Sequence, residues 1–398
     1  MNISIEVVKE VINMFERVFL LILDGCGVGA APDADKFNDK GANTLLHTLG
    51  NSYNLDVLER LGLTTLLGYE VPEKRGLYMK AHPASLAKDS LNGHYELMGA
   101  ILKQPFQTYP DGFPDELIKR IQDSTGYDVI GNISGDGHEI IDELGEMQIK
   151  TGSIIIYTSA DSVLQVAAHE DVIPVETLYK ICEKISVLSS TNDFGVARVI
   201  ARPFYGKLGE FIRDDSKRKD YTLDPPINVL DLLQNNNINT IGLGKIPDLF
   251  NNKGFNVKIK TKDNIDTMMK VVDFAKGNFS GLLFANLNDF DTLYGHRRDR
   301  EGFLHALEEF NYYLPILLKN LKKKDLLIIT ADHGNDPTYK GSDHTREDVP
   351  ILIYSPIFKK SKAISDRDTL ADVGATILDN FNIKNDLGIG HSIFDELR

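Results

Sequence analysis

The feature that most constrains this chain is a repeated pattern, a short unbroken β-rich run that stops at acidic residues. Val18–Leu23 runs into Asp24, and Leu282–Leu287 is followed by Asp289 and Asp291. Leu326–Ile329 leads to Asp332-His333, and Ser153–Tyr157 leads to Thr158-Ser159-Ala160-Asp161. Continuous apolar runs of this length fit strands buried on both faces, as in a parallel sheet. Between them lie stretches of helical spacing, such as Gly302–Asn320 with Phe303, Leu304, Leu307, Phe310, Leu314 and Leu317. The expected class is α/β, with a central, mostly parallel sheet flanked by helices. Ligands of open α/β sheets bind outside the carboxyl ends of the strands, which is where three of these runs place their aspartates.

A chain of 398 residues exceeds what one core usually accommodates, so two domains are expected. Thr108–Pro114 and Asp214–Pro226 are dense in proline, glycine or charge and read as the two hinges of an insertion. The predicted division is a core of residues 1–107 and 223–398, interrupted by a smaller α/β cap at 108–222. Within the cap, Val172–Ser186 has helical spacing and Gly195–Ile200 reads as a strand, while Gln234–Asn237 reads as a surface turn. Hydrophobic residues at 42% suffice for a full core and are too many for general disorder. A formal net charge of −14 disfavours nucleic-acid and anionic-membrane partners. The longest strictly aliphatic or aromatic run, Val18–Leu23, falls far short of the roughly 20 residues that span a bilayer. The N-terminal segment MNISIEVVKEVINMFER is interrupted by charges and lacks the apolar centre of an export signal, so a cytoplasmic protein is expected. Cys26 and Cys182 have no metal or redox spacing and are expected to be reduced.

The strand-end residues carry chemistry. Asp332-His333-Gly334 is followed by Asp343-His344-Thr345-Arg346, which sets a hard oxygen and imidazole nitrogens at one sheet edge, as a divalent metal requires. Asp291 and His296 follow a second apolar run, and Asp24 closes the first strand in Leu-Asp-Gly-Cys-Gly-Val-Gly. Each alone is an ordinary turn or cap residue. Together they are three carboxylates and three imidazoles, enough for two metals with open positions, an arrangement suited to phosphoryl transfer. The candidate nucleophile is Ser90 in Lys88-Asp89-Ser90-Leu91-Asn92-Gly93-His94.

The segments LILDGCGVGAAPDA, KDSLNGHYELMG, YTSADSVLQVAAHE, ARVIARPF, NLNDFDTLYGHRRD, ITADHGNDPT and SDHTREDVPILIY resemble, in order and over most of the chain, the phosphopentomutases of the alkaline phosphatase superfamily. The resemblance implies an alkaline-phosphatase-like core with an inserted cap. It implies that Asp291, His296 and His344 hold one Mn²⁺, that Asp24, Asp332 and His333 hold another, and that Ser90 is the phosphorylated residue bridging both. It also implies that Ser159, Asp161, Val163, Arg198, Ile200, Arg213 and Lys245 bind substrate. The family usually has Thr at the positions of Ser90 and Asn92 and Trp at that of Tyr95. Serine is chemically equivalent to threonine as an alkoxide. Arg198, Arg213 and Lys245 are cations apt to clamp a phosphate, and Asp161 can bind sugar hydroxyls. Arg202, Arg297 and Arg298 read as ordinary surface charges. The implied activity is interconversion of ribose 1-phosphate and ribose 5-phosphate, and of the 2-deoxy pair. A sugar bisphosphate (glucose 1,6-bisphosphate or ribose 1,5-bisphosphate) would act as primer, the partners would be small pentose phosphates, and a monomer is expected. The rival readings are a cofactor-independent phosphoglycerate mutase, a phosphatase of the same superfamily, and a non-catalytic metal-binding protein.

Overall fold

The computed structural model describes residues 15–50, 52–102, 106–158, 162–190, 194–222 and 224–397. Ser159, Asp161 and nearly all of the N-terminal segment lie outside the described residues. The chain divides into two compact units, Met1–Leu102 with Pro225–Arg398, and Lys103–Asp224.

The first unit is built on an eight-stranded sheet flanked by helices. Its strand order is Val257–Ile259, Thr240–Leu243, Gly281–Leu287, Arg17–Leu23, Asp325–Thr330, Val349–Tyr354, Gly76–Ala81 and Ser361–Ala363. The first five run parallel, as the continuous apolar runs in Gly281–Leu287, Arg17–Leu23 and Asp325–Thr330 predict, and every residue of those three strands is buried. Val349–Tyr354 is antiparallel to both of its neighbours. Register sets the level of the strand ends: Ile22 lies opposite Asn286 on one side and Thr330 on the other. Asp24 and Asp332 therefore emerge level with each other from adjacent strands, with Asp291 just beyond the third. The predicted helix near Gly302–Asn320 spans Arg300–Asn320. Asp299 caps it by accepting from the Gly302 N–H at 2.9 Å, and its buried stripe is Phe303, Ala306, Leu307, Phe310, Leu314 and Leu317.

At the opposite end of the sheet Arg17 and Asp325 form an ion pair, with side chains 3% and 1% exposed. The same guanidinium donates to the carbonyls of Phe274, Ala275 and Gly277 at 3.0–3.1 Å, satisfying the C-terminal end of the Asn264–Lys276 helix. Arg17→Ala removes the cation paired with a buried carboxylate and takes this donor from the Phe274 and Ala275 carbonyls, while Lys322 still donates to Asp325 and to the Gly277 carbonyl. We expect it to cost about 3–5 kcal/mol, read as a lower urea midpoint, with metal binding retained wherever the variant is folded. A midpoint within about 0.5 kcal/mol of the parent would contradict this.

The second unit has its own six-stranded sheet, in the order Val129–Ser134, Ile154–Thr158, Val163–His169, Arg198–Tyr205 and Ile212–Arg213, with Lys219–Thr222 also paired to Arg198–Tyr205. The Ser153–Tyr157 run thus belongs to this sheet, parallel to Val129–Ser134 and antiparallel to Val163–His169, and not to the sheet of the other three runs. The helix spans Val175–Ser189 and buries Leu178, Ile181, Cys182 and Ile185. The segment Asp214–Pro226 is not a hinge throughout. Lys219–Thr222 is a strand antiparallel to Arg198–Ala201, because Tyr221 packs against the apolar cluster beneath it. Asn237, at the end of the predicted Gln234–Asn237 turn, has φ +58°. Cys26 and Cys182 are buried and unpaired. Among the described residues, no helix is long and apolar enough to cross a membrane.

Candidate metal centre

The donor residues come from the carboxyl ends of adjacent parallel strands, as the register requires. Asp24, Asp332 and His333 present one ligand atom each within 4.8 Å of one another, and so do Asp291, His333 and His344. His333 stands in both groups, where the sequence resemblance implied one only. His296 completes the second side: its Nε2 lies 3.2 Å from Asp291 Oδ2 and 3.1 Å from His344 Nε2. Asp291 and His296 reach the same place through a wide turn over Phe290–Gly295, in which the His296 N–H bonds to the Asp291 carbonyl five residues back, at 3.0 Å.

The ligand atoms are aimed by what the other atoms of each side chain do. His296 Nδ1 lies 2.6 Å from the Ser342 carbonyl, and His333 Nδ1 lies 3.0 Å from the Gly334 carbonyl. Carbonyl oxygens only accept, so both Nδ1 atoms carry protons and both Nε2 atoms, the ones a metal would take, face the centre. Asn286 donates to Asp24 Oδ2 at 2.7 Å, Asn335 donates to Asp291 Oδ1 at 2.6 Å, and the Gly25 N–H donates to Asp332 Oδ1 at 3.1 Å. Gly25 has φ +74°, a backbone setting that disfavours side chains.

These residues fit a divalent cation. Asp24 Oδ1 and Asp332 Oδ2 are fully buried, and no aligned hydrogen bond reaches them. Orphaned carboxylate oxygens of this kind cost several kcal/mol in a protein interior unless a cation takes them. Burial, and after it the charge of Asp332, raises the Asp24 carboxyl above the usual range. Burial also opposes the charge on Asp332, but His333 and His94 outweigh it and hold that carboxyl well below the usual value. Burial opposes a charged His333, yet Asp332, Asp291 and Asp24 push its pKa up to about 10. The cluster gathers three carboxylates and three imidazoles, and this donor set of carboxylate oxygens and imidazole nitrogens is one that Mn²⁺ or Zn²⁺ accepts.

Ser90 sits at this centre. It is the first residue of the helix Ser90–Leu97, capped by Asp89, which accepts from the Asn92 N–H at 3.0 Å and from the Asn92 side chain at 2.7 Å. Asn92 therefore secures the cap residue twice, through its backbone and its side chain. Ser90 Oγ lies 3.1 Å from His333 Nε2 and accepts from Lys245 Nζ at 2.9 Å. Gly93 allows this approach, since a Cβ there would stand 2.1 Å from the Asp332 carbonyl oxygen. Lys245, grouped by resemblance with the substrate residues, follows Gly244 at the end of a fourth parallel strand and forms an ion pair with Asp24.

The other described candidates for substrate binding, Val163, Arg198, Ile200 and Arg213, lie in the second unit. Val163 pairs with Arg198 across the sheet, and Val163 and Ile200 are buried. Arg198 Nη1 lies 3.2 Å from Asp220, and Arg213 holds Asp215 at 2.9 and 3.1 Å. Arg202 and Arg298 are not free surface charges. Arg202 is 8% exposed, donating to Gln165 and Asp215. Arg298, at φ +54°, donates to Asn335 Oδ1 and to the carbonyls of Gly295, Asp336, Gly341 and Asp343, pinning the loop between His333 and His344. Arg297 is exposed.

Among solved structures, PH0037 protein from Pyrococcus horikoshii is similar at a TM-score of 0.50 with 14% identity, over 94% of this chain and 99% of that one. Phosphoglycerate mutase of Leishmania mexicana is similar at 0.49 and 13%, over 95% and 97% of the two chains. An alkaline phosphatase superfamily protein from Vibrio parahaemolyticus is similar at 0.45 and 10%, over 96% and 70%. The first of these likenesses is one of fold. The family described as the metalloenzyme superfamily matches residues 16–385, nearly the whole chain, and the protein belongs to that superfamily.

Proposed function

We propose that this protein is a phosphopentomutase, interconverting ribose 1-phosphate and ribose 5-phosphate and the 2-deoxy pair through a phosphoserine at position 90. The observation that carries the proposal is the setting of Ser90 Oγ, at a helix N-terminus, 2.9 Å from Lys245 Nζ and 3.1 Å from the histidine common to both donor groups. Support for the pentose comes from YTSADSV and ARVIARPF, the segments that resemble phosphopentomutases and carry Arg198.

Two Mn²⁺ ions held by Asp24, Asp332 and His333 and by Asp291, His296 and His344 would neutralise charge on the phosphoryl oxygens during in-line transfer. The free hydroxyl of the sugar phosphate attacks the phosphorus on Ser90, the P–Oγ bond breaks, and the Lys245 ammonium steadies the oxygen left on Ser90. The helix N-terminus favours the anion while it is attached. The resulting 1,5-bisphosphate turns round, Oγ attacks its other phosphorus, and the sugar–oxygen–phosphorus link at that end breaks. The proton lost by the attacking hydroxyl is balanced by the one gained at the oxygen released second. No water enters, and phosphoserine is restored.

The test is product identification with ribose 1-phosphate, Mn²⁺ and catalytic glucose 1,6-bisphosphate. Ribose 5-phosphate without stoichiometric inorganic phosphate is expected. Phosphate release instead indicates a hydrolase, and turnover of 3-phosphoglycerate alone indicates the phosphoglycerate enzyme.

A further inference from the structure

His94 is fully buried and belongs to none of the donor groups. Its Nδ1 lies 2.7 Å from the backbone carbonyl of Ser90 and 3.1 Å from Asp332 Oδ2. The carbonyl can only accept, so the proton is on Nδ1, and that single N–H faces both the residue that carries the hydroxyl and the carboxylate that closes the strand. The contact to Asp332 is within charge-pair distance but off the hydrogen-bond axis, which leaves Oδ2 with a lone pair to give to a cation. The other nitrogen, Nε2, is buried with no hydrogen-bond partner, and the ring lies 5.9 Å from that of Phe284. The side chain thus has one polar task, at Nδ1. Gly93 beside it brings the helix into contact with Asp332, since a Cβ there would meet the Asp332 carbonyl oxygen at 2.1 Å and the Asp332 Cβ at 2.9 Å.

We infer that His94 is a positioning residue whose Nδ1–H couples the Ser90 helix to Asp332, orienting that carboxylate for the cation shared with Asp24 and His333. Groups in this outer position typically change metal affinity by 10- to 100-fold when removed. The inference rests on the two-metal reading, and the experiment separates the two.

Mn²⁺ binding isotherms would be recorded for the full-length chain and for His94→Phe, His94→Asn and His94→Gln, with thermal melts as a check of folding. Phenylalanine keeps the packing against Phe284 and removes the N–H. Asparagine can place an amide N–H near the position of Nδ1, whereas glutamine places one near Nε2. The expected result is that His94→Phe weakens one of two Mn²⁺ sites by about 10- to 100-fold and leaves the other alone, and that His94→Asn restores most of the loss while His94→Gln does not. Parental affinity at both sites in a folded His94→Phe overturns the inference alone, as does equal weakening of both sites, which would indicate loss of packing only. Should His94→Phe fail to fold, the comparison of Asn with Gln decides, and no difference between them overturns the coupling. A parent chain that binds no Mn²⁺ overturns the two-metal reading and this inference with it.

Discussion

Alanine at position 90 is expected to leave a folded protein that still binds two metal ions and transfers no phosphoryl group. Ser90 Oγ is the hydroxyl that Lys245 and His333 hold at 2.9 and 3.1 Å, and neither donor group depends on it to bring its ligand atoms together. Loss of a nucleophile that acts as a unit with its neighbours typically costs on the order of 10⁴-fold or more in turnover. Intact mass after incubation with glucose 1,6-bisphosphate should show one added phosphate on the parent and none on Ser90→Ala. Parent protein stripped of phosphate should be silent or show a lag until primed. Ser90→Thr should keep substantial activity, because it supplies the same oxygen with one more methyl group. Interconversion of ribose phosphates by Ser90→Ala would refute the phosphoserine route.

The second large effect is expected at Asp332. Asparagine there preserves shape and removes the charge from an oxygen pair placed between the Gly25 N–H and His333, so that Asp24 faces the cation without its partner. Mn²⁺ affinity at that site should fall by at least about 100-fold, beyond what an outer-sphere change produces, and turnover should fall with it. Prolonged chelation should inactivate the parent, with full recovery on adding Mn²⁺. Two tightly held ions in Asp332→Asn, measured by elemental analysis after gel filtration, would remove Asp332 from the ligand set.

The strands and the centre were legible in the sequence to different depths. An apolar run that ends in Asp marks a buried parallel strand and the end at which ligands bind, so Asp24, Asp291 and Asp332 could be recognised one by one. The same signal does not say which sheet a run joins, and Ser153–Tyr157 belongs to the second. Local spacing is also silent on contacts that span the chain. Lys245 reaches Asp24 and Ser90 because the strand before it lies beside Gly281–Leu287, and only sheet order reveals that. Arg298 looked like a surface charge because its five acceptors come from residues 295 and 335–343, four of them on a distant loop. The sharing of His333 between the groups, and the task of His94, depend on the direction of ring nitrogens and carry no sequence signature.

The strand Arg17–Leu23 lies between Gly281–Leu287 and Asp325–Thr330, the latter 308 residues away along the chain at the Arg17–Asp325 contact. During synthesis at 5–20 residues per second, this strand, apolar from Val18 to Leu23, waits on the order of tens of seconds before its second neighbour exists. The sheet of Lys103–Asp224 has all of its strands in hand well before then. Nascent chains are therefore open to aggregation through Val18–Leu23, and protection of that segment must last until Asp325–Thr330 has been made. Because Asp332, His333 and His344 follow the other donors along the chain, metal cannot rescue a chain stalled before them and can stabilise only one that has passed His344.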